Sequence, residues 1–207
     1  MIPSPYNKAA SQQGSLLIEQ VIAPARGAAC KDMNWHDYFT YNPETGDLTW
    51  KERPIEHFVD KRAMAVWNTR YSGKMAGAKG SLNEYGHRGV SVNAKRYLLH
   101  RVIWEMHNTA IPIKMQVDHI DGDAMNNKIE NLRLATNAQN SMNSRMPSNN
   151  KSGYKGVGFH AGAKRWRAGI GIKGGYVHLG LFDTPEEAHE AYRKAAIDLH
   201  GDFANFG

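Results

Sequence analysis

QVDHIDGDAMNNKIENLRLATNAQNSMN, residues 116–143, sets an acid and a histidine side by side at Asp118 and His119, an Asn before a Leu at Asn131 and Leu132, and a further Asn at Asn140. The Gly and Asp residues that follow His119 favour a loop running through Asn127. The pattern predicts a strand ending at His119, that loop, a second strand over about residues 129–134, and a short helix with Thr136 as its N-cap. Together these make a ββα unit.

The groups gathered there suit one kind of chemistry. Asp118 offers carboxylate oxygens and Asn140 an amide oxygen. These are hard ligands that suit Mg2+ or Mn2+ and suit zinc poorly. Two protein ligands leave the remaining metal positions to water and substrate phosphate. Histidine is the side chain that ordinarily titrates near neutral pH, so His119 is the candidate to take a proton from an attacking water. Asn131 would hold the loop, or the imidazole, in its working orientation. An Asp-His pair alone in a Gly/Asp loop is ordinarily a polar turn; the register with Asn131, Leu132 and Asn140 separates this stretch from that case.

On these residues the chain resembles the HNH nucleases, in the version found in phage and intron-encoded homing endonucleases. Asp118 to Asn131 spans 13 positions and Asp118 to Asn140 spans 22, as in that version. The resemblance implies one divalent metal, Mg2+ or Mn2+, on Asp118 and Asn140, with His119 as general base and Asn131 as the middle letter of the motif. It also implies products with 5′ phosphate and 3′ hydroxyl ends. The last letter departs from many relatives, which carry His where this chain has Asn140; the amide favours Mg2+ or Mn2+ further. His100 and His107, in HRVIWEMH, are expected to be structural.

With 207 residues the chain has room for two modest domains rather than one undivided core. The net charge of +6 points toward a polyanionic partner. Cys30 is the only cysteine, which excludes an internal disulfide and a Cys-based zinc site and suits a reducing compartment. No apolar run reaches the ~20 residues of a membrane span. Near the start, Glu19, Gln20 and Arg26 interrupt the apolar stretch, so a secretion signal is not expected. A cytoplasmic location follows, in a bacterial host if the gene is phage-borne.

Residues 1–32, rich in Ser, Gln, Ala and Pro with one apolar patch over residues 16–22, are expected to be a flexible extension. The nuclease domain is expected over residues 33–143. FTYNPETGDLTWK, residues 39–51, has turn chemistry between two short apolar segments and reads as a hairpin. Residues 52–80 read as a loop. GVSVNAKRYLL reads as a second hairpin with Val90 and Val92 on one face. Leu99, Val102, Ile103 and Met106 form one helical stripe backing the ββα unit. Residues 144–152 are the linker.

A second module is expected over residues 153–207, with three short strands over about residues 155–160, 165–173 and 176–182. The helix that follows is opened by the Thr184-Pro185-Glu186-Glu187 capping box and stopped at Gly201. Alternation puts Trp166, Ala168, Ile170 and Ile172 toward the helix and Arg165, Arg167, Gly169, Gly171 and Lys173 outward, with Gly156, Gly158, His160, His178 and Gly180 beside them. Residues 151–182 carry six Lys or Arg and no acid, whereas residues 183–202 carry six acids against Arg193 and Lys194. Lys155, His160, Lys164, Arg165, Arg167, Lys173 and His178 are therefore the candidate DNA contacts.

YKGVGFH, RWRA, HLGLFDTPEEAHEAY and HGDFANF give residues 152–206 a resemblance to the plant APETALA-two or ethylene-response-factor DNA-binding domain. Those domains place arginines after the Gly-Val step where this chain has Gly158 and His160, which implies looser sequence preference.

The fold class expected is α+β, an HNH ββα-metal domain followed by a three-stranded antiparallel sheet with one packed helix. The function expected is cleavage of double-stranded DNA by a metal-dependent HNH homing endonuclease, acting as a monomer without membrane or organic cofactor. Two alternatives stay open: a DNA-binding transcriptional regulator on an inactive nuclease scaffold, and an RNA-binding protein. The intact set of Asp118, His119, Asn131 and Asn140 argues against the first. The absence of an exposed aromatic pair on the basic sheet argues against the second.

Overall fold

Two hairpins and a helix build the platform under the central stretch. The computed structural model describes residues 33–77 and 82–207; residues 1–32, with the expected flexible extension and its apolar patch, lie outside the described residues. Strands β1 (Phe39–Asn42) and β2 (Asp47–Trp50) pair antiparallel around the Asn-Pro turn, with Phe39, Leu48 and Trp50 buried. Strands β3 (Gly89–Val92) and β4 (Lys95–Leu98) form the second hairpin. Its two-residue turn puts Asn93 and Ala94 at φ 50° and 61°, the twist that matches paired strands. Both hairpins stand where the sequence puts them.

The expected loop over residues 52–80 is in part a helix. Asp60 accepts from the N–H of Ala63 and opens α1 (Lys61–Tyr71), an element with no fully buried residue, whose Trp67 meets Trp50 edge-on. Helix α2 (Leu99–His107) follows β4 directly and buries Leu99, His100, Val102 and Ile103. The stripe is core, as its spacing predicts.

β5 (Met115–His119) pairs antiparallel with β6 (Leu132–Thr136), Asp118 opposite Arg133 and His119 opposite Leu132. The second strand begins later than residue 129 because a 3-10 turn over Ile129–Asn131 takes its first residues. Thr136 caps α3 (Asn137–Met142) in a full capping box with Gln139.

Beyond α3, β7 (Val157–His160), β8 (Arg165–Ile172) and β9 (Gly175–Phe182) form one antiparallel sheet in that order. Helix α4 (Pro185–His200) lies across it, with Pro185 at its start and Gly201 after its end. Ala168, Ile170, Ala188, Tyr192 and Ala196 make the core between sheet and helix.

Four details depart from simple alternation. A bulge between Ala168 and Gly169 leaves Leu179 without a partner, so Gly180 faces Ala168 on the helix side and Leu181 stands opposite Arg167 on the outer side. Gly156 lies against the helix: a Cβ there would come within 2.0 Å of the Tyr192 ring. Ile172, at the sheet end, is exposed rather than packed on α4. Gly169 faces outward but is covered, since a Cβ there would strike Tyr176, itself 57 % exposed. The outer face therefore carries the ring of Tyr176, which stands opposite Gly171.

Asn34–Gly207 forms a single compact unit. No helix of the described residues is long and apolar enough to cross a membrane.

Candidate active site

Asp118 and His119 end β5 as neighbours, both buried, at a cleft of about 410 Å³ that Asn140 also lines. Asp118 is held through one oxygen. Arg133 Nε donates to its Oδ2 at 3.0 Å and Asn143 Nδ2 donates to the same atom at 3.0 Å. Arg133 Nη2 lies 2.9 Å from it as an ion pair, angled poorly for a further hydrogen bond. Asn143 also donates to the His119 carbonyl at 2.7 Å, tying the end of α3 to the end of β5.

Asn140 lies one helical turn before Asn143. Its amide Nδ2 donates to Gln116 Oε1 at 2.6 Å, which leaves its Oδ1 for a ligand. A carboxylate oxygen and an amide oxygen on one cleft are a donor set that fits a hard divalent cation.

The imidazole of His119 is fixed by a residue that motif reading misses. His119 Nε2 is 2.9 Å from Oδ1 of Asn127, itself 1 % exposed. An amide oxygen only accepts, so the ring donates from Nε2 and keeps its lone pair on Nδ1. Asn127 is positioned from the front of the chain. Tyr41 Oη accepts from the N–H of Ile129 at 2.8 Å. Gly46, at φ +74°, lets the first hairpin come so close that a Cβ would lie 2.6 Å from the Asn127 backbone.

Asn131 holds the loop through its side-chain hydrogen bonds. Its Nδ2 donates to Asp121 Oδ1 and the Asn126 carbonyl, each at 2.9 Å, and its Oδ1 accepts from the N–H of Asp121 at 3.1 Å. Burial pushes the Asp121 carboxyl up, but the N–H of Asp123 and the amides of Asn126 and Asn131 outweigh it and hold it below its ordinary value.

Two further histidines abut His119. The His87 ring stacks on it at 5.5 Å between centroids, and the His100 ring meets it edge-on at 5.0 Å. Burial, then the neighbouring imidazole of His119, lowers the pKa of His87 and pushes that of His100 down to about 2. His107 Nδ1 instead donates to the Ile103 carbonyl at 2.8 Å, and the ring packs on Tyr41, which is a structural role.

The closing segment of the chain reaches this site. Arg133 Nη1 donates to the Asp202 carbonyl, and its guanidinium lies 3.8 Å from the centroid of Phe203. Asn205 Nδ2 donates to the Asn143 carbonyl at 3.1 Å, and Tyr192 Oη donates to the Asn205 carbonyl. The two side chains that hold Asp118 are thus themselves held by residues 202–205. No motif spacing could have revealed this.

Of the expected DNA contacts, His160, Lys164, Arg165, Arg167, Lys173 and His178 are exposed on or beside the outer face of the sheet. Arg165 is paired there with Asp183 at 2.9 Å. Lys155 is a correction. It is 9 % exposed, and its ammonium donates to the carbonyls of Met142 and Ser144, so it fastens the end of α3 instead of facing DNA. Burial lowers its pKa to about 8. Arg145, exposed beside the cleft and 3.7 Å from Asp123, is a cation that the expected set omits.

Comparison with known proteins shows the family. A family model for the HNH endonucleases matches residues 97–142, from β4 through α3. Protein 3.8 of Escherichia phage T7 is 36% identical over 107 residues, covering 52% of this chain and 88% of that protein. The uncharacterized HNH endonuclease L560 of Acanthamoeba polyphaga mimivirus is 36% identical over 117 residues, 56% of this chain and 59% of that protein. APETALA2-like protein 2 of Oryza sativa subsp. indica is 42% identical over 57 residues, 28% of this chain and only 13% of that protein. No solved structure matches. With Asp118, His119, Asn131 and Asn140 all inside the matched segment, the chain belongs to the HNH endonuclease family.

Proposed function

We propose that the chain is a divalent-metal-dependent endonuclease of the homing type, with β5, β6 and α3 as its ββα-metal unit and the C-terminal sheet directing it to double-stranded DNA. The observation that carries this reading is the shared cleft of Asp118, His119 and Asn140, with the imidazole lone pair fixed on Nδ1. His119 Nδ1 takes a proton from the water that attacks the scissile phosphorus. Asn127 keeps that tautomer, and Asn131 keeps the loop that carries Asn127. Arg133 and Asn143 orient Asp118 through Oδ2 so that Oδ1 faces a ligand. Asp118 and Asn140 would hold Mg2+ or Mn2+, whose charge stabilises the phosphate and the departing 3′ oxygen when bound. One site of this kind per chain suits nicking by a monomer.

Asp118→Ala should weaken metal binding by on the order of 10-fold or more. Plasmid cleavage should fall at low Mn2+ and recover in part as Mn2+ is raised. Cleavage by Asp118→Ala with an unchanged metal requirement would remove this residue from the site.

Targeting by the sheet has its own test. Arg167 and Arg165 share the outer face, so replacing both with Ala should leave the fold intact and weaken DNA binding. The slope of log affinity against log salt should shrink by ~0.9 for each phosphate that the arginines no longer neutralise. An unchanged slope would place the DNA elsewhere. Equal preference for single-stranded RNA would favour Tyr176 as a stacking platform instead.

A further inference from the structure

Three imidazoles converge beside the cleft that His87 and His119 line, each set there by a different element. His87 closes a turn in which Asn83 Oδ1 accepts its N–H at 2.9 Å. The next residue, Arg88, is buried against Asp47 and the carbonyls of Ala76 and Gly77, which anchors the turn. His100 sits in the first turn of α2, and His119 ends β5. One ring nitrogen from each lies within 4.8 Å of the other two. His87 Nδ1 is buried and has no hydrogen-bond partner, an arrangement that polar groups rarely tolerate unless something else satisfies them.

We propose that His87, His100 and His119 form a binding site for a d-block divalent cation, with Zn2+ as the reference ion, and that its occupation silences the nuclease. The donor set is three nitrogens, which imidazole-preferring metals favour and Mg2+ does not. Burial keeps His87 and His100 neutral, the form that ligates. Tetrahedral Zn–N bonds of ~2.0–2.1 Å bring ligand nitrogens to about 3.4 Å apart, so the rings need close in by roughly an ångström. His87 and His119 line the cleft, so a fourth ligand would reach the ion from that side. Silencing rests on the reading of His119 as general base, because a lone pair bound to metal cannot accept a proton. Zn2+ binding itself does not rest on that reading.

The test is calorimetric titration of metal-stripped full-length chain with Zn2+, repeated with Co2+ to read its visible absorption, and plasmid cleavage in Mg2+ with increasing Zn2+. Wild type should take up one Zn2+ per chain. His87→Gln and His100→Gln should each bind at least the ~10–100-fold more weakly that removal of even an outer partner causes. Asp118→Asn should bind Zn2+ as wild type does. Zn2+ should stop cleavage by wild type at concentrations that leave His87→Gln active. If His100→Gln fails to fold, the half-buried His87→Gln decides the matter. Wild-type affinity in His87→Gln, or Zn2+ binding abolished in Asp118→Asn, would overturn the site. Zn2+ bound as described without inhibition would overturn the silencing. Failure of wild type to cut in either Mg2+ or Mn2+ without Zn2+ would overturn the nuclease reading while the calorimetry still judged the three-histidine site.

Discussion

Replacing His119 with Ala should lower plasmid cleavage by ~10²–10⁴, the contribution of a positioned general base, and leave DNA affinity unchanged. At ~1.36 kcal/mol for each factor of ten, this removes about 3–5 kcal/mol of barrier lowering. Affinity is expected to survive because His119 is buried and the cations proposed to hold DNA, such as Arg167 and Lys173, lie on β8 and beyond its end. Asn127→Ala should reproduce part of the effect, since without the amide oxygen at Nε2 the ring can hold its proton on Nδ1. Gel-shift and cleavage measured on the same preparations separate the two effects. Undiminished cleavage by His119→Ala would take the imidazole out of the reaction.

Tyr192→Ala should destabilise the chain by ~3–5 kcal/mol, as large aromatic truncations do in a close-packed core. The ring is 3 % exposed and fills the space that Gly156 leaves open. Its hydroxyl donates to the Asn205 carbonyl, and Asn205 in turn holds Asn143 beside Asp118. Tyr192→Phe keeps the ring and removes one hydrogen bond, so it should cost only about 1 kcal/mol. Denaturant unfolding distinguishes them: a midpoint shift for Ala no larger than that for Phe would show that the ring does not anchor this core.

The central motif is legible because its chemistry is local in sequence. Asp118 and His119 are adjacent, and Thr136 with Gln139 is a capping box that can be read directly. The hairpins and α2 are legible through turn residues and apolar spacing. Helix α1 is not, since none of its residues is fully buried and the side chain that caps its start is Asp60. Alternation places β8 correctly as far as Ile170 but misses the bulge, because nothing in the strand's own pattern marks an unpaired Leu179 on its neighbour. The charge of Lys155 points to DNA. Its actual partners are backbone carbonyls, which carry no sequence signature. Asn127, Asn143, His87 and Arg133 escape sequence reading for the same reason: each acts through a contact made by the fold.

The most direct measurement is conversion of supercoiled plasmid by full-length wild-type chain in Mg2+, followed with and without EDTA. Nicked circles are expected in Mg2+, none with EDTA, and recovery when Mg2+ is restored in excess. Cleavage that persists in EDTA, or no cleavage in either Mg2+ or Mn2+, would contradict it.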